Sequence, residues 1–267
     1  MRRQYMLQYH IFPGGKRRVL TFSYDDGHPN DERLLAIFAK YGIKGTFHLN
    51  SAYLAAGPEA LRTRYAGQEV ACHTVHHGWP ARMPSATVIQ ETIADRAALE
   101  EIFGCPVQGM SYPSGSYDAA SAAAMRAAGI LYSRTTKSTG NFYLPEDFMA
   151  WHPSCHHRDA MPLCERFLAD IDSEWTHPLF YIWGHSFEFR SEADWKWMED
   201  LLSTLGGQDK IWYATNGQIY TYLTALQQLR VSVDEKIIEN PTATDVWVEK
   251  DKKEIYCIPA GKRLSLR

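Results

Sequence analysis

Apolar positions along this chain come in short runs, each followed by a polar loop and then by a stretch of helical period. The runs Val19 to Phe22, Gly45 to Leu49, Glu69 to Cys72, Gly109 to Ser111, Phe148 to Trp151, Leu179 to Gly184 and Ile211 to Ala214 predict strands, because they are too short for helices and are closed by Gly, Asp, His or Pro. Between them, Asp31 to Tyr41 places Leu34, Leu35 and Phe38 on one helical face. Ser85 to Phe103 spaces Ile89, Ile93 and Ala97 four apart behind a Ser85 cap. Repeated strand-helix alternation predicts an α/β fold, a parallel barrel or a close relative of one. Near Leu229 the rhythm stops. From Val231 to Leu266 short β-type runs, Val246 to Val248 and Ile255 to Ile258, lie between Asn240-Pro241, Asp251-Lys252-Lys253 and Ala260-Gly261, which predicts a small β appendage whose acidic residues sit in turns. The chain is therefore expected to divide into 1–230 and 231–267.

Composition narrows this only a little. With 267 residues, 45% hydrophobic against 22% charged and a net charge of -3, the chain is an ordinary globular protein with no basic surface for nucleic acid. Lys16-Arg17-Arg18 and Lys250 to Lys253 read as solvated loops. Met1 to His10 alternate polar and apolar residues without the apolar stretch of a secretory signal, and no window approaches the roughly 20 apolar residues of a membrane span. The five cysteines, Cys72, Cys105, Cys155, Cys164 and Cys257, are odd in number and form no CxxC pair, so reduced thiols are expected. These points place the protein in the cytoplasm, unless a leader once preceded Met1. The sequence carries no signal for an oligomeric state.

Three clusters carry candidate chemistry, each behind a predicted strand. Asp25 and Asp26 follow Val19 to Phe22, and two adjacent carboxylates at a strand's C-terminal end can diverge, one to a cation and one to a reacting water. His73-Thr74-Val75-His76-His77 follows Glu69 to Cys72, and imidazoles at i and i+4 on a helical turn, His73 and His77, can converge on a borderline-soft ion to which Asp26 adds an oxygen. Trp183-Gly184-His185 closes Leu179 to Ile182 with an imidazole suited to proton transfer. Each cluster has an ordinary reading too: a polar turn, a solvated loop, a satisfied histidine at a strand end.

Taken together and in order, these segments resemble the polysaccharide deacetylases of the NodB-homology group, carbohydrate esterase family 4. Ser23-Tyr24-Asp25-Asp26-Gly27 is similar to that family's first motif, and His73-Thr74-Val75-His76-His77 to its second. Tyr112-Pro113-Ser114-Gly115-Ser116-Tyr117-Asp118 and Ile182-Trp183-Gly184-His185 resemble the third and the closing motifs. The resemblance implies a distorted (β/α) barrel of seven strands that hydrolyses N- or O-acetyl groups of sugars. It also implies Asp25 as general base, Asp26, His73 and His77 as metal ligands, His185 as general acid, and a backbone N–H near Ser114 for the oxyanion, with Tyr112, Arg134 and Trp183 expected around the substrate. Two departures stand out. The family's common third motif holds an arginine that braces the base, whereas here the stretch is Met110-Ser111-Tyr112-Pro113; Arg134, after the next apolar run, is a candidate to supply that charge. The Asp and Trp that orient the acid histidine have no clear counterpart, and Cys155-His156-His157-Arg158-Asp159 is a candidate replacement.

The leading expectation is thus a metal-dependent hydrolase of an acetylated saccharide, with one divalent ion, zinc first and cobalt, nickel or manganese next. A non-sugar amide or cyclic imide on the same fold, and a catalytically degenerate sugar-binding protein, are the alternatives. Neither nucleic acid nor membrane is expected as a partner, and a cytoplasmic protein would meet short oligosaccharides rather than cell-wall polymer.

Overall fold

A computed structural model describes residues 7–169, 171 and 178–266; residues 1–6, the start of the alternating N-terminal stretch, lie outside the described residues. After β1 (Leu7–Gln8) come β2 (Arg18–Asp25), α1 (Asp31–Tyr41), β3 (Gly45–Leu49), α2 (Pro58–Arg64), β4 (Glu69–Cys72), α3 (Ser85–Phe103), β5 (Gly109–Ser111), α4 (Ala119–Ala127) and β6 (Tyr132–Arg134). The alternation continues through β7 (Cys155–His156), α5 (Ala160–Ala169), β8 (Leu179–His185), α6 (Glu192–Leu205), β9 (Ile211–Tyr213) and α7 (Asn216–Gln227). Strands β6-β5-β4-β3-β2-β8-β7 form one parallel, curled sheet in that order. This is the distorted barrel that the resemblance to the polysaccharide deacetylases implies.

Strand β2 is the axis of the sheet. All eight of its residues are buried, as a strand covered on both faces requires. Strand β8 pairs with it from Val19 to Asp25, while β9 takes the lower part of its other edge, Arg18 to Leu20, and β3 the upper part, Phe22 to Asp25. The register puts His48, Asp25 and His185 abreast at the C-terminal ends of three neighbouring strands.

Several expectations need correction. Phe148 to Trp151 is not a strand: Phe148–Ala150 is a single 3-10 turn, and Trp151 contributes one parallel bridge to Arg134. The strands here are β6 and β7, and the stretch from Trp151 to His156 links them, loosely closing the barrel. Helix α3 has the predicted span, but its inward face is rotated by about one residue, or ~100°. Val88, Thr92, Asp95 and Leu99 face inward and Ile93 is half exposed, because Asp95 accepts the backbone N–H groups of Ser51 (2.9 Å) and His73 (3.0 Å), the latter shared with the Leu49 carbonyl at 3.1 Å. Its cap position is Pro84, and Ser85 makes no capping bond.

Beyond α7, β10 (Arg230–Val231), β11 (Ile237–Glu239), β12 (Val246–Lys250), β13 (Glu254–Ile258) and β14 (Arg263–Ser265) form two small antiparallel sheets, β1-β12-β13 and β10-β11-β14. They enclose Leu7, Ile238, Val248, Ile258 and Leu266, so the N-terminal strand belongs to this unit too. Lys16-Arg17-Arg18 is not a solvated loop. Arg18 is buried at the start of β2, and Arg17 makes a two-pronged pair, 2.6 and 3.2 Å, with Glu249, itself 1% exposed in the middle of β12 and not in a turn. Lys250 to Lys253 does form a turn, with Asp251 and Lys252 in the left-handed region.

Removing one member of a largely buried pair strands the other charge, so Arg17→Met is expected to cost about 2–3 kcal/mol in urea denaturation. The double variant Arg17→Met/Glu249→Met should cost less than the single one. A single variant as stable as the wild type would show that the pair does not anchor the appendage.

Candidate active site

The site is built where β2, β3, β4, β5, β6 and β8 end. Asp25 is the last residue of β2 and still extended, whereas Asp26 turns into the left-handed region with φ 76°, its N–H held by the His48 carbonyl at 2.9 Å. That kink separates two chemically identical side chains. Asp25 points inward at 3% side-chain exposure, and Asp26 faces outward at 31%. A non-glycine residue at positive φ is a strained choice that surrounding structure must enforce. Thr74, His77 and Ser114, all in this region, share it.

His73 and His77 converge without a helical turn. Residues 73–77 form a bend in which Thr74 (φ 61°) and His77 (φ 53°) are left-handed, and the Asn50 amide donates to the carbonyls of His73 and Thr74. The rings lie 4.9 Å apart, and their Nε2 atoms stand 3.6 and 3.8 Å from Asp26 Oδ1. His76 points away to Glu91. The donor set suits a divalent cation: His73 Nδ1 is 2.9 Å from the Ser111 carbonyl, which places the ring proton there and leaves the Nε2 lone pair facing Asp26 and His77. Burial lowers the His73 pKa to about 3, so the ring is neutral.

Around Asp25 the surroundings differ. Arg134, fully buried, pairs with Oδ2; Ser111 Oγ donates to Oδ1 at 3.1 Å, and His48 Nδ1 lies 3.3 Å from the same oxygen. Burial by itself would raise the Asp25 pKa, but Arg134, His73 and His48 hold it well below the usual carboxylate range. Arg134 thus sits where a brace for Asp25 is needed, with its guanidinium 4.4 Å from the centre of the Trp183 ring. His185 Nε2 is 4.0 Å from Asp25 Oδ2, and its Nδ1 faces Glu188 Oε1 at 3.1 Å. Burial would lower the His185 pKa; Glu188, Asp25 and Asp26 together raise it.

Of the expected substrate residues, Tyr112 is buried, its hydroxyl donating to the Met149 carbonyl at 2.8 Å and its N–H to the Arg134 carbonyl at 3.0 Å. Ser114 is exposed at the tip of the turn beyond β5. Beside Asp26 opens a cavity of about 430 Å³ lined by His28, Tyr53, Arg64 and Phe187 among others. Sequence reasoning passed over His48, Ser111, Asp95 and Glu188. Only His48 left a trace, an ionisable ring in an otherwise apolar strand. The other three are ordinary polar residues until the register and the helix phase are known.

No curated protein matches the chain. Among solved structures, a candidate polysaccharide deacetylase from Mycobacterium smegmatis aligns with a TM-score of 0.63 and 18% identity over 83% of this chain and 96% of its own. A chitin deacetylase from Colletotrichum lindemuthianum aligns with 0.53 and 21% over 75% and 86%. A family 4 carbohydrate esterase from Streptomyces lividans, bound to acetate, aligns with 0.52 and 16% over 73% and 91%. At such identities the likeness is one of fold. Residues 13–133 match the sequence profile of the polysaccharide deacetylases.

Proposed function

We propose that the chain is a metal-dependent hydrolase that removes N- or O-acetyl groups from an acetylated oligo- or polysaccharide. The observation that carries this reading is the division of labour across one kink. Three metal-type donors, Asp26, His73 and His77, face a common point, while Asp25 and His185 flank it with their own partners. A divalent cation held by the three donors, with zinc favoured over cobalt, nickel or manganese, supplies polarisation of the acyl carbonyl and acidification of a water. Asp25 takes the proton of the attacking water, its orientation fixed by Arg134 and Ser111. A carboxylate held so low is ionised at neutral pH but accepts protons weakly, which is why this reading needs a cation beside it. The Ser114 amide, at the tip of its turn, receives the developing oxyanion. His185 hands a proton from Nε2 to the departing nitrogen or oxygen.

Acetate release separates this reading from its rivals. Chitooligosaccharides, acetylated xylooligosaccharides and peptidoglycan fragments offered to the metal-loaded protein should yield acetate from at least one. Silence on all three, with metal bound, would favour a non-sugar amide or imide substrate, or a binding protein without turnover.

His73→Ala and His77→Ala are each expected to lose metal and activity together, since each removes one of three protein ligands. Metal analysis of the purified variants decides this, and stoichiometric metal in either one contradicts the ligand set.

The adjacent aspartates give the sharper comparison. Asp25→Asn should keep metal near the wild-type level and lose turnover by about 10²- to 10⁴-fold, because an amide fills the space but takes no proton. Asp26→Asn should lose metal. A metal-free or fully active Asp25→Asn protein would reverse the assignment.

A further inference from the structure

Glu188 collects more donors than one carboxylate ordinarily holds. It ends the single turn Ser186–Glu188 behind β8, with its side chain 17% exposed. Oε1 faces His185 Nδ1 at 3.1 Å, and Oε2 faces His156 Nε2 at 3.2 Å, His157 Nε2 at 3.1 Å and Arg158 Nε at 3.3 Å. Burial would raise its pKa, but the surrounding donors hold it well below the ordinary range, so the carboxylate is charged.

What fixes this carboxylate is the His157 ring. It is 1% exposed and stacked between Phe189, with centroids 4.8 Å apart, and Tyr24, 5.8 Å apart, both near parallel. Its Nδ1 presses on Gly184: a Cβ there would stand 2.0 Å from that nitrogen, so no other residue type fits between Trp183 and His185 while the ring stays in place. His157 Nδ1 is buried and has no hydrogen-bond partner among the described residues. Among the described residues the Nε2 contact to Glu188 is therefore the ring's one hydrogen-bonding interaction, and a neutral imidazole has one N–H to give.

We infer that His157 is a positioning residue: seated on Gly184, it anchors Glu188 so that Glu188 keeps the His185 proton on Nδ1 and turns Nε2 toward the reacting atoms. The inference rests on His185 being the acid of the proposed hydrolysis. The same three side chains, His156, His157 and Glu188, have ligand atoms close enough for a metal ion. Hydrogen bonding accounts for them better. His156 Nδ1 accepts the Arg158 N–H at 3.4 Å, which puts the His156 proton on Nε2, toward Glu188, and the Arg158 guanidinium already pairs with Oε2.

Two acetyl substrates test this on the metal-loaded protein. An N-acetylated chitooligosaccharide must have its leaving amine protonated, whereas 4-nitrophenyl acetate releases a phenolate that needs no acid. Glu188→Gln should lower kcat on the chitooligosaccharide by about 10²-fold, and His157→Phe, which keeps the stacked ring, by about 10-fold. KM, bound metal and aryl-ester turnover should stay near wild type. Equal losses on both substrates would mean a merely structural role, and a second equivalent of zinc that Glu188→Gln removes would mean a metal site. Nitrogen NMR of the neutral His185 ring gives a readout free of turnover. The Nδ1–H form should dominate in the wild type and mix with the other tautomer in His157→Phe; unchanged populations would overturn the inference. Failure of the wild type to release acetate from either substrate would instead sink the hydrolase reading, leaving the tautomer measurement to judge His157 alone.

Discussion

A carboxylate taken out of water stays charged only if a cation comes with it. Asp25 has Arg134, and the rest of the site depends on that pair. The two lie on β2 and β6, four places apart in the sheet. In a flat sheet, with strands about 4.8 Å apart, they would be separated by about 19 Å. They meet because the sheet curls, and the ion pair spans the inside of the curve. Curvature is thus a requirement of this ion pair as well as a way of packing. The short bridge of Trp151 to Arg134 and the pairing of β7 with β8 close the curve from the other side, which holds the guanidinium against Asp25 and the Trp183 ring at once.

Curling brings backbone ends together that cannot all be satisfied by their own strands. Polar side chains complete the hydrogen bonding, and each also sets a functional group. Asp95 takes the N–H of Ser51 and shares that of His73 with the Leu49 carbonyl, Asn50 holds the carbonyls of His73 and Thr74, and Ser111 uses its carbonyl on His73 Nδ1 and its hydroxyl on Asp25. The left-handed residues Asp26, Thr74 and His77 lie within this mesh. Strain of order 1–3 kcal/mol at such positions persists only where neighbours over-determine the backbone. Here those neighbours are the same groups that aim the imidazoles.

Why the sequence reveals some of this and hides the rest follows from range. Strands β3, β4 and β5 and helices α1 and α3 have the predicted limits because short apolar runs and Gly-capped helical periods are local signals. The phase of α3 is not local: it answers to the amides of Ser51 and His73, so Thr92 and Asp95 turn inward where apolar spacing puts Ile93. The stretch Phe148 to Trp151 has the composition of a strand, yet it lies at the closure of the barrel, where one bridge is all the geometry allows. Likewise the seat of Arg17 cannot be read from Lys16-Arg17-Arg18, because Glu249 lies 232 residues away.

The same distinction explains the two departures from the family pattern. In the family's common form the bracing arginine belongs to the third motif, which here is the stretch around Ser111. Arg134 stands in register with Ser111 on the neighbouring strand, so the charge moves by one strand in the fold and by 23 residues along the chain. The partner of His185 also lies elsewhere in sequence, at Glu188, with Cys155-His156-His157-Arg158-Asp159 acting on it rather than on the histidine. A profile match that ends at residue 133 meets neither group. What constrains such a site is the potential at two atoms, Asp25 Oδ2 and His185 Nδ1. Any strand end that delivers a positive charge to the first and a negative charge to the second satisfies it, so a missing motif residue is weak evidence for a missing function until the opposite side of the barrel has been inspected.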